Sequence, residues 1–205
     1  MKCANGDRIM AKRGWANWAA LVAALLALAV TGASSLARTG HAGPGPLAYT
    51  ADGRAIPPRN YREWVFLTSG MDMNYEDIVP GNDPHVFDNV FVDPAAYAVF
   101  RRTGHWPEGT VLVKESRQGL TKGSINKAGQ FQSEAVAAVE LHVKDTRRFG
   151  GWAFFDVVDG KPAKMLPKTE DCHACHGDHG AVDSTFVQFY PTLAGIARTK
   201  GTFRN

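Results

Sequence analysis

The stretch EAVAAVELHVK at residues 134–144 alternates along its length. Ala137, Val139, Leu141 and Val143 share one face; Ala138, Glu140, His142 and Lys144 share the other. A period of two with one apolar face and one polar face marks a strand of an antiparallel sheet. On either side, residues 61–68 (YREWVFLT), 86–92 (VFDNVFV), 110–115 (TVLVKE) and 151–158 (GWAFFDVV) are rich in aromatic and β-branched residues and read as four further strands. Asp93-Pro94 opens a short helix, with Asp as cap, Pro in the first turn and Gly104 as stop. Ala96, Tyr97 and Phe100 form its inward face. Residues 70–84 and 118–130 read as loops, and Asp159-Gly160 as a turn. From Ser184 onward, Phe186, Phe189, Tyr190, Leu193, Ile196 and Ala197 fall at helical spacing, with Pro191 interrupting that helix or restarting it. The expected fold class is α+β: an antiparallel sheet of about five strands with a few helices.

At 205 residues the chain suits a single domain, and its net charge is +3. That charge is unevenly placed. Residues 1–37 hold four of the 23 cations and one of the 20 acids, so 19 of each remain beyond them. Such a remainder carries no basic stripe, which argues against nucleic acid as a partner. The same 37 residues read as a secretory signal: Lys12 and Arg13, then an unbroken apolar run over 19–30, then small residues to Ala37. Residues 38–58, rich in Gly, Pro and Ala, read as a loose leader, and 59–205 as the domain. Loss of the signal would remove Cys3 and leave two cysteines in an exported, periplasmic protein.

Those two stand in Cys172-His173-Ala174-Cys175-His176, a C-x-x-C-H. Two thiols three residues apart can add to two vinyl groups on one haem edge, and the next histidine can reach the iron. One covalently attached haem c is therefore expected, in a C-terminal attachment segment followed by a helix, with His176 as iron ligand. A structural disulfide, a thioredoxin-like pair and a zinc site of Cys172, Cys175, His176 and His179 are the alternatives. No methionine follows Cys175. Met71 and Met73 sit in a loop and Met165 lies close to the attachment point, so the sixth iron position is expected to be open.

Further residues carry a resemblance. They are Asn60-Tyr61-Arg62-Glu63-Trp64-Val65; Val92-Asp93-Pro94 with Tyr97; Thr103-Gly104; Gly109-Thr110-Val111-x-Val113-Lys114-Glu115; Glu140 with Val143-Lys144-Asp145; Gly151-Trp152-Ala153-Phe154; and Phe189-Tyr190-Pro191-x-Leu193. In this order, from about Asn60 to Ile196, the chain resembles the cytochrome P460 family and its relative cytochrome c′-beta. The resemblance implies an antiparallel-sheet homodimer with one five-coordinate haem. It implies that Lys114 is cross-linked to a porphyrin carbon, and that hydroxylamine is oxidised to nitrogen oxides with electrons passing to another exported c-type cytochrome. Glu140 matches a distal carboxylate that relays protons, and His142 shares its face. A c′-beta-like protein would instead bind nitric oxide or carbon monoxide without turnover and lack the cross-link. A simple electron carrier would need a Met or His capping the iron. One departure stands out: where the family can carry a distal arginine, six residues before Pro94, this chain has Asp88.

Overall fold

The computed structural model describes residues 47–73, 85–123, 125 and 127–204. The chain divides into two units, Met1–His41 and Ala42–Asn205, and every described residue lies in the second. The expected signal sequence and residues 74–84 of the expected loop lie outside the described residues. In chain order the elements are β1 (Val65–Met71), β2 (Val86–Val92), α1 (Pro94–Thr103), β3 (Val111–Leu120), β4 (Phe131–Gln132), β5 (Ala138–Asp145), the single turn α2 (Thr146–Phe149), β6 (Gly151–Val157), α3 (Asp171–His179) and α4 (Pro191–Lys200). Short 3-10 turns occupy Tyr61–Glu63 and Val187–Phe189. None of the described helices is long and apolar enough to cross a membrane.

The strands order β1-β2-β3-β5-β6, antiparallel throughout, with β4 pairing the far end of β3 as a sixth strand. The α+β expectation stands, and the alternating stretch becomes β5, although its pairing starts only at Ala138. Both sheet faces are covered. On one, Val111, Val113, Leu141, Val143 and Phe155 pack with Ala55, Tyr61 and Ala163. On the other, Val92 and Leu112 pack with Ala96 and Phe100 of α1, Trp106, and Leu193 and Ala197 of α4.

Local expectations shift where β1 runs on to Met71 and β3 to Leu120, in stretches read as loops, and again at Tyr61, at residues 47–58 and before Pro191. Tyr61 begins no strand, because Glu63 and Trp64 donate back to the carbonyls of Asn60 and Tyr61 and close a tight turn. That turn sends the Tyr61 ring inward, and its hydroxyl donates to Glu115. Glu115 is buried and would be costly alone, but Arg62 and Arg117 pair with it as well. Residues 47–58, read as loose, lie against the sheet: Ala55 is wholly buried and exchanges backbone hydrogen bonds with Ala163. Such irregular backbone carries no periodic signal. Pro191 restarts the last helix, standing in the first turn of α4 where its missing N–H costs nothing.

The capping expectation for α1 is met in full. The Asp93 carboxylate accepts from the N–H groups of Ala95 and Ala96 at 2.8 and 3.1 Å. Gly104 ends the helix at φ 79°, with Thr202 and Lys200 so close that a Cβ there would collide. Phe100 anchors the helix face: it is fully buried, with its ring 4.3 Å from that of Trp106. Phe100→Ala is expected to lower the free energy of unfolding by about 3–5 kcal/mol. The measurement is a urea titration, in which the midpoint falls while the slope holds.

Candidate functional site

Cys172, Cys175 and His176 all lie on α3, so the C-x-x-C spacing becomes one helical turn with both thiols on the same side. Both cysteines are free and half-buried, and both line a cavity of about 680 Å³ between α3 and the sheet. His176 is buried, and its Nδ1 lies 3.0 Å from the Ser184 carbonyl. A carbonyl only accepts, so Nδ1 carries the proton and Nε2 keeps the lone pair. Burial, then the neighbouring His142, push the His176 pKa down to about 3, so the ring is neutral at ordinary pH.

The sheet supplies the opposite wall through its register. Lys114 stands directly across from Glu140, and Glu140 across from Asp156. One step along, Leu112, His142 and Phe154 form a parallel row. Directly opposed residues point to the same face, so all six side chains enter the cavity. A connected set of polar groups results. Lys114 Nζ donates to Glu140 Oε1 at 2.8 Å, and His142 Nε2 stands 3.8 Å from Glu140 Oε2. The His142 ring then meets the His176 ring edge-on, with centroids 4.8 Å apart. Phe154 and Phe186 close on His176 at 4.8 and 4.3 Å.

Charges in this row hold one another. Burial would raise the Glu140 pKa, but His142 and the Lys114 ammonium outweigh it and bring the carboxyl down to about 2. Burial pulls Lys114 down, and Glu140, Asp88 and Asp156 more than reverse that. Burial and the Glu140 charge raise Asp156. Asp156 also borders a second cavity of about 710 Å³, together with Glu140, Arg59 and Arg62.

The sequence-derived candidates thus meet in one place: Cys172, Cys175, His176, Lys114 and Glu140 share a cavity. None of Met71, Met73 and Met165 lines it, and each is at least a third exposed. Asp88 faces the same way from β2 and accepts from the Ser116 hydroxyl. The zinc alternative lacks a ligand set, since among the described residues no three His, Cys, Asp or Glu side chains are grouped to hold an ion. The thioredoxin-like alternative lacks its βαβ frame in a wholly antiparallel sheet. Asp156, Phe186 and the Ser184 carbonyl were not foreseen. The period of β6 could have given Asp156, two residues beyond Phe154; a backbone carbonyl has no sequence signal.

A haem fits what is present. The wall is apolar at Val90, Leu112, Phe154, Leu166 and Phe186; the two thiols stand at its edge; a neutral imidazole offers its lone pair. Comparison with known proteins agrees: the sequence model of the cytochrome P460 family matches residues 58–187, a span that includes every one of these groups. No curated protein matches the chain.

Proposed function

The chain belongs to the cytochrome P460 family, and from that premise we propose that it oxidises hydroxylamine at a single haem c. Family membership makes it a haem protein with iron; substrate, attachment and residue roles are this proposal. Cys172 and Cys175 would hold the group by thioethers, His176 would ligate its iron, and Lys114 would be joined to a porphyrin carbon. When bound, the haem supplies an iron that takes up electrons and leaves a position for a small nitrogen ligand. We further propose export to the periplasm and passage of electrons to another exported cytochrome, which the signal-like first 37 residues and the C-x-x-C-H motif support.

The observation carrying this reading is that Glu140 and Lys114 pair at 2.8 Å inside the cavity bordered by Cys172 and Cys175. Hydroxylamine must release protons as electrons leave, and a carboxylate beside the reacting nitrogen can take them. Glu140 fills that role. Lys114 Nζ stands at one of its oxygens and His142 Nε2 near the other. Asp156, opposite Glu140 in the register and exposed, provides the next carboxylate on the way to solvent. His142 stands between Glu140 and His176, 3.8 Å from the second carboxylate oxygen.

Glu140→Gln is expected to slow hydroxylamine oxidation by about 10²–10⁴ while the haem spectrum stays unchanged. A rate equal to that of the wild type would remove Glu140 from proton transfer. Where the Lys114 amine is free, the same variant reads the ion pair in stability. The folded Glu140 pKa is depressed, so the pair stabilises above the ordinary 4.5 and fades as pH falls toward about 2. The wild type's advantage in urea should therefore shrink over that acid interval.

One observation favours a second reading, a c′-beta-like binder of nitric oxide or carbon monoxide. Asp88 occupies the place where an arginine could hold a bound anion, and its carboxylate accepts from Ser116 rather than donating. An optical spectrum of the reduced protein separates the two. A strongly red-shifted Soret band marks a cross-linked haem, and an ordinary high-spin c-type band marks the gas binder.

A further inference from the structure

The turn that supplies the Ser184 carbonyl is strained. Asp183 and Ser184, neither of them glycine, lie consecutively in the left-handed region at φ 46° and 55°. Each such residue persists only where its surroundings over-determine it. Here Asp183 is the best-connected side chain. One carboxylate oxygen accepts from the Trp106 backbone N–H at 2.9 Å and pairs with Lys144 Nζ at 3.3 Å. The other lies 3.0 Å from His105 Nδ1. Lys144 Nζ also donates to the Trp106 carbonyl at 2.7 Å, so β5 and the loop after α1 are tied together at this carboxylate. Burial would raise the Asp183 pKa; His105, the Trp106 N–H and Lys144 hold it below the usual range, so it stays ionised.

The rest of the turn is fixed from the same side. The fully buried Trp106 indole donates to Thr185 Oγ1 at 2.9 Å, and Thr185 Oγ1 to the Val182 carbonyl at 2.6 Å. Gly180, just beyond α3, sits so close that a Cβ would fall 2.6 Å from the His176 oxygen, the Ser184 carbonyl carbon and the Thr185 nitrogen. The end of α3 and the turn are thus in direct backbone contact, and a shift of one moves the other.

We propose that Asp183 is the positioning residue of the iron ligand: anchored by Trp106, His105 and Lys144, it holds the Asp183–Ser184 turn so that the Ser184 carbonyl accepts the His176 Nδ1 proton. This rests on His176 being the ligand. The hydrogen bond selects the tautomer that leaves Nε2 for the iron and fixes the ring's rotation. It also raises the basicity of the imidazole, which favours the ferric state and lowers the reduction potential. Asp183 touches neither iron nor substrate; it acts through one backbone carbonyl.

The test uses the haem-loaded protein and two readouts other than turnover: the iron–histidine stretch of the reduced state, and the midpoint potential. Asp183→Ala should move the stretch to lower frequency and the potential to a more positive value, and Asp183→Asn should move both less. The paired change His105→Gln with Lys144→Met strips the carboxylate of its two side-chain partners and leaves the turn's own sequence intact. It should shift both readouts the same way, which keeps the question open to measurement if Asp183→Ala does not fold. His176→Ala is the reference. If it keeps the wild-type stretch, the ligand reading fails and this inference with it. If His176→Ala loses the stretch while the Asp183 and His105/Lys144 variants leave stretch and potential at wild-type values, the ligand stands and the positioning role does not.

Discussion

Cys172→Ala combined with Cys175→Ala is expected to leave a chain with no haem that survives denaturation. Wild-type protein run on a denaturing gel should stain for haem peroxidase activity at the position of the protein band; the double variant should not stain at all. The physical ground is the helix. Both cysteines are free of a disulfide, one turn apart on α3, and line the same cavity. Thioethers formed there are covalent and outlast unfolding, whereas ligation by His176 does not. Either single variant keeps one possible thioether and should stain more weakly. His176→Ala keeps both, so it should stain normally while its reduced spectrum changes. An empty space of about 680 Å³ lined by Phe154, Phe186 and Leu112 would also cost packing, so the double variant should unfold at lower urea than the wild type. Complete extraction of haem from the wild type by acidified acetone would overturn covalent attachment.

The sequence was most legible where one residue type has one job. Alternation in residues 134–144 puts Glu140 and His142 on one face from the pattern alone, because a strand's period is fixed by backbone geometry. Asp93, Pro94 and Gly104 bounded α1 to the residue, because each answers an unpaired backbone group or a forbidden dihedral. C-x-x-C-H was legible as chemistry for the same reason. Pairings between distant segments were not. Lys114 and Glu140 were each expected at the site, yet their 2.8 Å contact depends on the register of β3 against β5, which the whole sheet decides. β4 was missed because two residues, Phe131 and Gln132, hold no periodic signal. The Asp183 anchor was missed because its partners come from residues 105, 106 and 144, far away along the chain. A left-handed dihedral at Asp or Ser leaves no mark in composition.

Lys114→Leu should fold, keep its thioether-bound haem, show an ordinary c-type Soret band, bind nitric oxide and lose hydroxylamine oxidation. Lys114 enters the cavity beside Leu112, and its pairing with Glu140 leads in holding the amine as a cation against the pull of burial and a largely apolar wall. Burial by itself favours the neutral amine; Glu140, with Asp88 and Asp156 behind it, reverses that and keeps the free amine charged. That reversal sharpens the test. A carboxylate held at about 2 by His142 and an ammonium is a feeble base at neutral pH. An amine bonded to a porphyrin carbon carries no such charge, so Glu140 would recover toward its ordinary value and accept protons more readily. Carboxyl titration followed by infrared difference spectroscopy distinguishes the states. If Lys114 is cross-linked in the wild type, Lys114→Leu leaves the Glu140 titration nearly where it was, because the cation was already gone. If the amine is free, the same change moves Glu140 upward. Digestion gives the covalent answer independently: one haem-bearing species containing the peptides of Lys114 and of Cys172 and Cys175. A free Lys114 peptide from the wild type, together with an upward Glu140 shift in Lys114→Leu, would end the cross-link proposal and leave the gas-binding reading in its place.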